Sequence, residues 1–346
     1  MKAAIYDPYL DTLGGGEKYS ASVAKLLEDL GYEVDFWWPQ DMTKKLFNRF
    51  AVHLAKPRFL DFSPIKTSLI DRLFTSAQYD LVFWVSDGSI PVSLAKKTII
   101  HMQIPAHWQG CGTLANQVKI RFYTVACNSK FTKSVVDRVY RINSHVVYPP
   151  VAVELFQPLP KQNLIVGIGR LAHGLHSKRQ DILIKAFSRL LPLLPDWRLV
   201  LAGGSKDLEL LKNYRDLIRK LPIEIIPNPS LEKIKQLLGT AKFFWSATGF
   251  GVNPIAHPER MEHFGITTVE AMAAGAIPLV TNSGGHLETV VPGQSGYLWN
   301  SIDQLVKYTV SLSKDEIKLN KMASQAQARS KLFSTAVFNS EFSKLI

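Results

Sequence analysis

The sequence is short of cysteine, of acidic residues and of long apolar runs, and each shortage excludes something. Two cysteines in 346 residues, Cys111 and Cys127, offer neither a metal-ligand spacing nor a disulfide framework. Free thiols fit a reducing compartment, so the expected location is cytoplasmic. No apolar run approaches the ~18 residues that a membrane-spanning helix needs. Leu81–Val85 and Ile277–Val280, among the most apolar stretches, are strand-sized. The apolar run after Lys2 is too short for a signal peptide. No Asp-x-Asp, no internal repeat and no low-complexity segment occurs. Apolar residues make up 46% and charged residues 20%, a globular balance that argues against extended disorder.

The acidic shortage is the informative one. Basic residues outnumber acidic ones by 41 to 29, for a net charge of +12. Such an excess favours phosphorylated ligands, anionic lipid or nucleic acid. It is spread over the chain, with 18 basic against 13 acidic residues in 1–150 and 23 against 16 in 151–346. A nucleic-acid reader would need a basic stripe or a recognisable module. Neither is present, so no nucleic-acid partner is expected.

The order of elements predicts an α/β protein. Ala3–Tyr6 reads as a buried strand, Gly14-Gly15-Gly16 as a turn, Glu17–Leu30 as a helix ended by Gly31, and Val34–Trp38 as the next strand. Further strands are expected at Leu81–Val85, Thr98–His101, Tyr123–Ala126 and His145–Val147, with a helix over Lys130–Tyr140. Pro149, Pro150, Pro158 and Pro160 then crowd one aperiodic stretch. Proline fixes its own φ and keeps the preceding residue out of the helix, so 149–161 reads as a linker. The α/β rhythm restarts with strands at Leu164–Gly167, Arg198–Ala202, Glu224–Ile226, Phe243–Trp245 and Ile277–Val280. The expectation is two Rossmann-like, doubly wound domains facing across a cleft, over 1–152 and 153–330, with a C-terminal helix in 331–346 packing back on the first domain.

Three motifs could carry chemistry. Gly14-Gly15-Gly16-Glu17-Lys18 joins a strand to a helix. It has neither G-x-G-x-x-G nor Walker A spacing, and it serves equally as a tight turn or as a place where backbone N–H groups approach an anion. Gly167-Ile168-Gly169-Arg170-Leu171 follows a strand and precedes His176-Ser177-Lys178-Arg179. Arg170 with Lys178 or Arg179 could clamp a diphosphate, or the segment is a solvated basic loop. The third runs from Glu262-His263-Phe264-Gly265 through Ile266-Thr267-Thr268-Val269-Glu270 to Gly275. Thr267 and Glu270 have capping-box spacing, which predicts a helix start at Thr267. Gly265, Ile266 and Thr267 would then present N–H groups at a positive helix end. Glu270 could be a cap alone, and Glu262 a loop acid.

The third motif carries a resemblance. Glu262 and Glu270 form the E-x7-E pattern of retaining glycosyltransferases with the GT-B fold, and EHFGITTVEAMAAGAIPLVTNSGG resembles glycosyltransferase family 4. GGGEK, the GRL…SK segment, Cys127-Asn128-Ser129-Lys130-Phe131-Thr132 and Val147-Tyr148-Pro149-Pro150-Val151 are similar to the same family, in the same order over about residues 1–300. Glu-His-Phe-Gly resembles the mannosyltransferases that extend lipid-linked oligosaccharides.

The resemblance implies roles. Arg170 and Lys178 would hold the donor diphosphate, Glu270 the ribose and Glu262 the donor sugar. Gly265, Ile266 and Thr267 would offer N–H groups, and Gly15 and Gly16 would lie near the donor phosphates. His101 would match an active-site histidine, although a strand-end core histidine reads the same way. The interval from Arg170 to Lys178 is longer than the family's, so Arg179 stays a candidate clamp. Ser246–Met261, with His257 and Arg260, reads as a long loop that shapes a pocket or lies on the surface.

The implied reaction retains anomeric configuration, uses a GDP- or UDP-linked sugar as co-substrate and needs no metal or cofactor. The leaving phosphate, rather than a protein group, would be the base. The alternatives are a nucleotide-sugar-binding protein without transfer, or an epimerase. The acceptor would be a glycan or a lipid-linked glycan. Residues 41–74 set seven basic against three acidic residues, interleaved with Phe47, Phe50, Phe59, Phe62 and Phe74. That composition suits peripheral contact with an anionic membrane, or a basic helix pair with buried phenylalanines.

Overall fold

The structure is a computed structural model that describes residues 1–172, 174 and 177–346. The chain divides into two compact units, Met1–Pro150 with Ala336–Ile346, and Val151–Thr335.

In the first unit seven parallel strands form one sheet, from β1 (Lys2–Tyr6), β2 (Glu33–Trp37) and β3 (Arg58–Leu60) to β4 (Leu81–Ser86), β5 (Lys97–Met102), β6 (Thr124–Cys127) and β7 (His145–Val146). Their order is β3-β2-β1-β4-β5-β6-β7, so the winding reverses between β1 and β4. The β4 sequence Leu-Val-Phe-Trp-Val-Ser is buried throughout. Leu81, Phe83 and Val85 enter one core, and Val82 and Trp84 the other. A parallel strand covered on both faces needs such an unbroken apolar run. The C-terminal helix Thr335–Ser343 belongs to this core through Phe338 and Phe342. Phe338 packs edge-on to Tyr19 with ring centroids 5.0 Å apart.

The second unit holds β8 (Gln162–Ile168), β9 (Arg198–Gly203), β10 (Ile223–Pro227), β11 (Ala241–Ser246), β12 (Ile277–Thr281) and β13 (Tyr297–Trp299). Its order is β10-β9-β8-β11-β12-β13, all parallel. Winding reverses between β8 and β11, and open α/β sheets bind ligands at the carboxyl ends of such strands.

Two expectations are corrected. The stretch 151–161 is not a loose linker. The Val151 N–H donates to the Phe333 carbonyl (3.0 Å), and Phe156 is buried in the core of the second unit. The prolines mark the change of unit, but these apolar side chains fix the segment. The strands β3 and β13 were not foreseen. Each has three residues at a sheet edge, too few for a periodicity.

Candidate functional site

The glycines of the second unit bring its motifs together. After β8 the chain passes through Gly169 and Arg170. A Cβ on Gly203, at the end of β9, would stand 1.7 Å from the Gly169 carbonyl oxygen, so only glycine allows that approach. A Cβ on Gly169 would lie 2.7 Å from Cγ of Lys178, so the lysine stem runs across the bare glycine.

Lys178 ends that path on Glu262. Its Nζ donates to Oε2 of Glu262 at 2.7 Å, and the two side chains are 30% and 14% exposed. Burial is the largest single influence and would raise the Glu262 carboxyl, but the charge and hydrogen bond of Lys178, together with His286 and His263, outweigh it and hold the group down at about 2. The clamp residues separate here. Arg179 has its guanidinium on Asp181 (Nε–Oδ1 3.0 Å, Nη2–Oδ2 2.9 Å) and on the Phe250 carbonyl (2.8 Å). Arg170 is half-buried; its carbonyl accepts from Gln180 Nε2 at 2.9 Å. Lys178, not Arg179, is thus the cation set against Glu262. His176 of the same motif lies outside the described residues.

The helix Ile266–Ala273 begins one residue before the expected start and is capped differently. Its N-cap is Gly265 at φ +97°, with no side-chain cap. The Thr267 hydroxyl instead reaches toward the Ile168 carbonyl at 3.5 Å, at the end of β8. Glycine takes the left-handed conformation at the entry to this helix without strain but has no side chain to cap it. The N–H groups of Ile266 and Thr267 head the first turn, where no earlier turn supplies carbonyls. Glu270 lies one turn further on, buried at 9% exposure.

The turn Ser283-Gly284-Gly285 locks the Glu262 loop in place. The Gly285 N–H donates to the Glu262 carbonyl at 2.7 Å. A Cβ on Gly284 would fall 2.3 Å from that carbonyl oxygen, and one on Gly285 would fall 2.4 Å from Cα of Phe264. His286 follows, fully buried. In the sequence this stretch enters only through the resemblance to glycosyltransferase family 4, with no role of its own. The contacts that give it one cross between loops and leave no periodic trace. Before Glu262, Ser246 ends β11, and the loop runs through a short 3-10 turn at Pro258–Arg260. His257 lies beside Glu259 at 3.3 Å.

In the first unit, Gly15 and Gly16 open the helix Gly15–Asp29, which follows β1 after a short 3-10 turn at Leu10–Thr12. A Cβ on Gly16 would collide with the side-chain amide of Gln103, at 1.5 Å from Oε1. Gln103 is therefore a neighbour of the glycine turn that the sequence did not reveal. Asp7, just past β1, accepts from Ser20 Oγ (2.6 Å) and the Tyr9 N–H (3.0 Å). Burial, with Glu17 adding to it, pushes its carboxyl up to about 7. His101 is in the core. It is fully buried within β5, its ring stacks on Tyr19 with centroids 3.8 Å apart, and burial lowers the imidazole to about 3. Its burial and stacking are those of a strand-end core histidine, and both ring nitrogens are without a hydrogen-bond partner among the described residues.

The second unit thus gathers Arg170, Lys178, Glu262 and Gly265 in the loops that follow β8 and β11, with Ile266, Thr267 and Glu270 in the helix that the second loop enters. Cations and a helix N-terminus at such a switch point suit a bound diphosphate. Known proteins agree with this architecture. The chain resembles the solved structure of Anabaena Alr3699/HepE in complex with UDP and glucose, with a TM-score of 0.76 at 18% identity, covering 99% of this chain and 98% of that one. This likeness places the chain in the two-domain α/β GT-B fold.

Among curated proteins, the human GDP-Man:Man(3)GlcNAc(2)-PP-Dol alpha-1,2-mannosyltransferase is 30% identical over 230 residues, 59% of this chain and 45% of that protein. An uncharacterized glycosyltransferase of Methanocaldococcus jannaschii is 22% identical over 312 residues, 86% of this chain and 83% of that protein. The chain spans less than half the length of the human and Dictyostelium discoideum mannosyltransferases it matches. The family described as "Glycosyl transferases group 1" matches residues 156–329, half of the chain and nearly all of the second unit, and the chain belongs to that family.

Proposed function

We propose that the chain is a retaining, metal-independent glycosyltransferase that moves mannose from GDP-mannose to a lipid-linked glycan. The observation that carries this reading is the Lys178–Glu262 pair at 2.7 Å, set in loops that also hold Arg170 and the N-terminus of the helix Ile266–Ala273. Cleavage of a sugar nucleotide develops negative charge on the leaving diphosphate. Fixed cations and oriented N–H groups stabilise that charge as it grows. Arg170 and Lys178 take this role, with Ile266 and Thr267 donating from the backbone. Glu262, ionised at neutral pH, accepts from sugar hydroxyls and positions the ammonium. Glu270 accepts from the ribose. The bond from the anomeric carbon to the diphosphate breaks, the acceptor oxygen bonds to the same face, and the leaving phosphate takes the acceptor proton. Glu262 and Glu270 are thus not the acid and nucleophile of a glycosidase.

The relatives' names support the choice of GDP, mannose and a lipid-linked acceptor. Among the described residues no helix is long and apolar enough to cross a membrane; in this reading a lipid-linked acceptor is met through a surface of the first unit. The surface for this lies in residues 41–74. Phe50 is buried, whereas Phe47, Ile65, Leu69, Ile70 and Phe74 are exposed among Lys44, Lys45, Lys66 and Arg72. Apolar side chains beside cations suit an anionic bilayer.

Calorimetry with GDP, UDP, ADP and dTDP in metal-free buffer tests the donor site. Selective binding of GDP is expected. Selective binding of UDP would replace the donor, and no binding by a folded sample would overturn the reading.

A further inference from the structure

His286 holds a lone pair that nothing among the described residues uses. Its Nδ1 lies 3.0 Å from Thr281 Oγ1 and 3.2 Å from the Thr281 carbonyl. The Thr281 hydroxyl spends its proton on the Thr248 carbonyl, at 2.6 Å. Both neighbours of Nδ1 therefore accept, and Nδ1 must carry the proton. That leaves Nε2 as a bare acceptor in a ring with no solvent exposure, and among the described residues it has no partner. Burial keeps the ring neutral at pH 7, although the Glu262 charge pulls it upward.

The ring's position says what it could serve. The place a Gly265 Cβ would take is 3.5 Å from His286 Cδ2, the atom bonded to Nε2, and 3.5 Å from Cγ of Glu262. The bare acceptor thus lies behind Gly265 and beside a carboxylate that also only accepts. Two neighbouring acceptors, of which Glu262 has Lys178 as a donor and His286 Nε2 has none among the described residues, suit a ligand rich in hydroxyls.

We infer that His286 is a positioning and specificity residue, whose Nε2 accepts a hydrogen bond from a hydroxyl of the donor sugar held by Glu262, directly or through one bridging water. This rests on the donor reading above, because the sugar is the group with hydroxyls to give. The nucleotide and its diphosphate do not depend on His286.

The test crosses two variants with two ligands. His286→Asn keeps a donor toward Thr281 and removes the acceptor at the Nε2 position. His286→Gln does the reverse. Calorimetry compares GDP with GDP-mannose, and UDP with UDP-glucose. The expected result is that the Asn variant loses about tenfold in affinity for the sugar nucleotide, keeps that for the bare nucleotide, and is rescued by Gln. An Asn variant that binds both like wild type, or that loses both equally, overturns the inference and leaves the donor site standing. Wild-type protein that binds none of the four ligands overturns the donor reading itself. If neither variant folds, 15N-histidine NMR of the wild type decides. A bare imidazole nitrogen whose signal moves with the sugar nucleotide and not with the nucleotide supports the inference; one that stays still in both refutes it.

Discussion

Lys178 Nζ stands 2.7 Å from Glu262 Oε2 across 84 positions of sequence. This ion pair joins the loop after β8 to the loop after β11, and it makes the charge state of Glu262 a property of the folded second unit.

Stability should therefore depend on pH through Glu262. The folded carboxyl is held at about 2 against an ordinary 4.5. A depressed carboxyl contributes stability above its unfolded value and loses it as pH falls through the folded one. Glu262→Gln should cost on the order of 2–3 kcal/mol at pH 7. The difference from wild type should shrink between about pH 4.5 and pH 2. Urea melts at a series of pH values measure this, and a difference independent of pH would disprove it.

Removing a cation should slow transfer without unfolding the protein. Arg170→Ala and Lys178→Ala are each expected to lower kcat by about 10²–10³, the scale for one stabiliser of developing charge, with unchanged circular dichroism. Wild-type turnover in either variant would remove that residue from the site.

Two glycine substitutions should part stability from activity. Gly285→Ala drives a Cβ against Phe264 Cα at 2.4 Å, a backbone contact that cannot move cheaply. A loss of about 1–3 kcal/mol is expected, with a lower Tm. Gly169→Ala meets Cγ of Lys178 at 2.7 Å, a side chain that can shift, and should lower kcat with a smaller loss of Tm than Gly285→Ala, because moving Lys178 weakens its pair with Glu262. Equal loss of Tm in both variants would contradict this.

Chelators should leave transfer unchanged, because Arg170, Lys178 and backbone N–H groups meet the diphosphate charge in the proposed mechanism. Activity that EDTA abolishes and magnesium restores would refute metal independence.

Ile70→Ser with Phe74→Ser should weaken sedimentation with phosphatidylglycerol vesicles and leave GDP affinity intact. Both side chains are more than half exposed, at 65% and 71%, so their loss should not disturb a core. Undiminished binding to the vesicles would clear this surface of the role.

The sequence alone carried the alternation of strands and helices, a change of domain within the proline-rich stretch 149–161, and the resemblance built on Glu262 and Glu270. These features are local: an apolar run, a proline pair or a fixed spacing can be read without knowing what lies alongside. Tertiary structure decided the rest. Lys178 and Arg179 are adjacent and chemically alike in sequence, and only the fold sets one on Glu262 and the other on Asp181. His101 and His286 are both isolated histidines in the sequence. The fold buries both, each with at least one ring nitrogen that has no partner among the described residues, but it stacks the first on Tyr19 and sets the second behind Gly265, close to Glu262. Which partner a side chain meets depends on contacts between segments far apart in the chain, and those distances are fixed by sheet order and by the glycines that let the loops close.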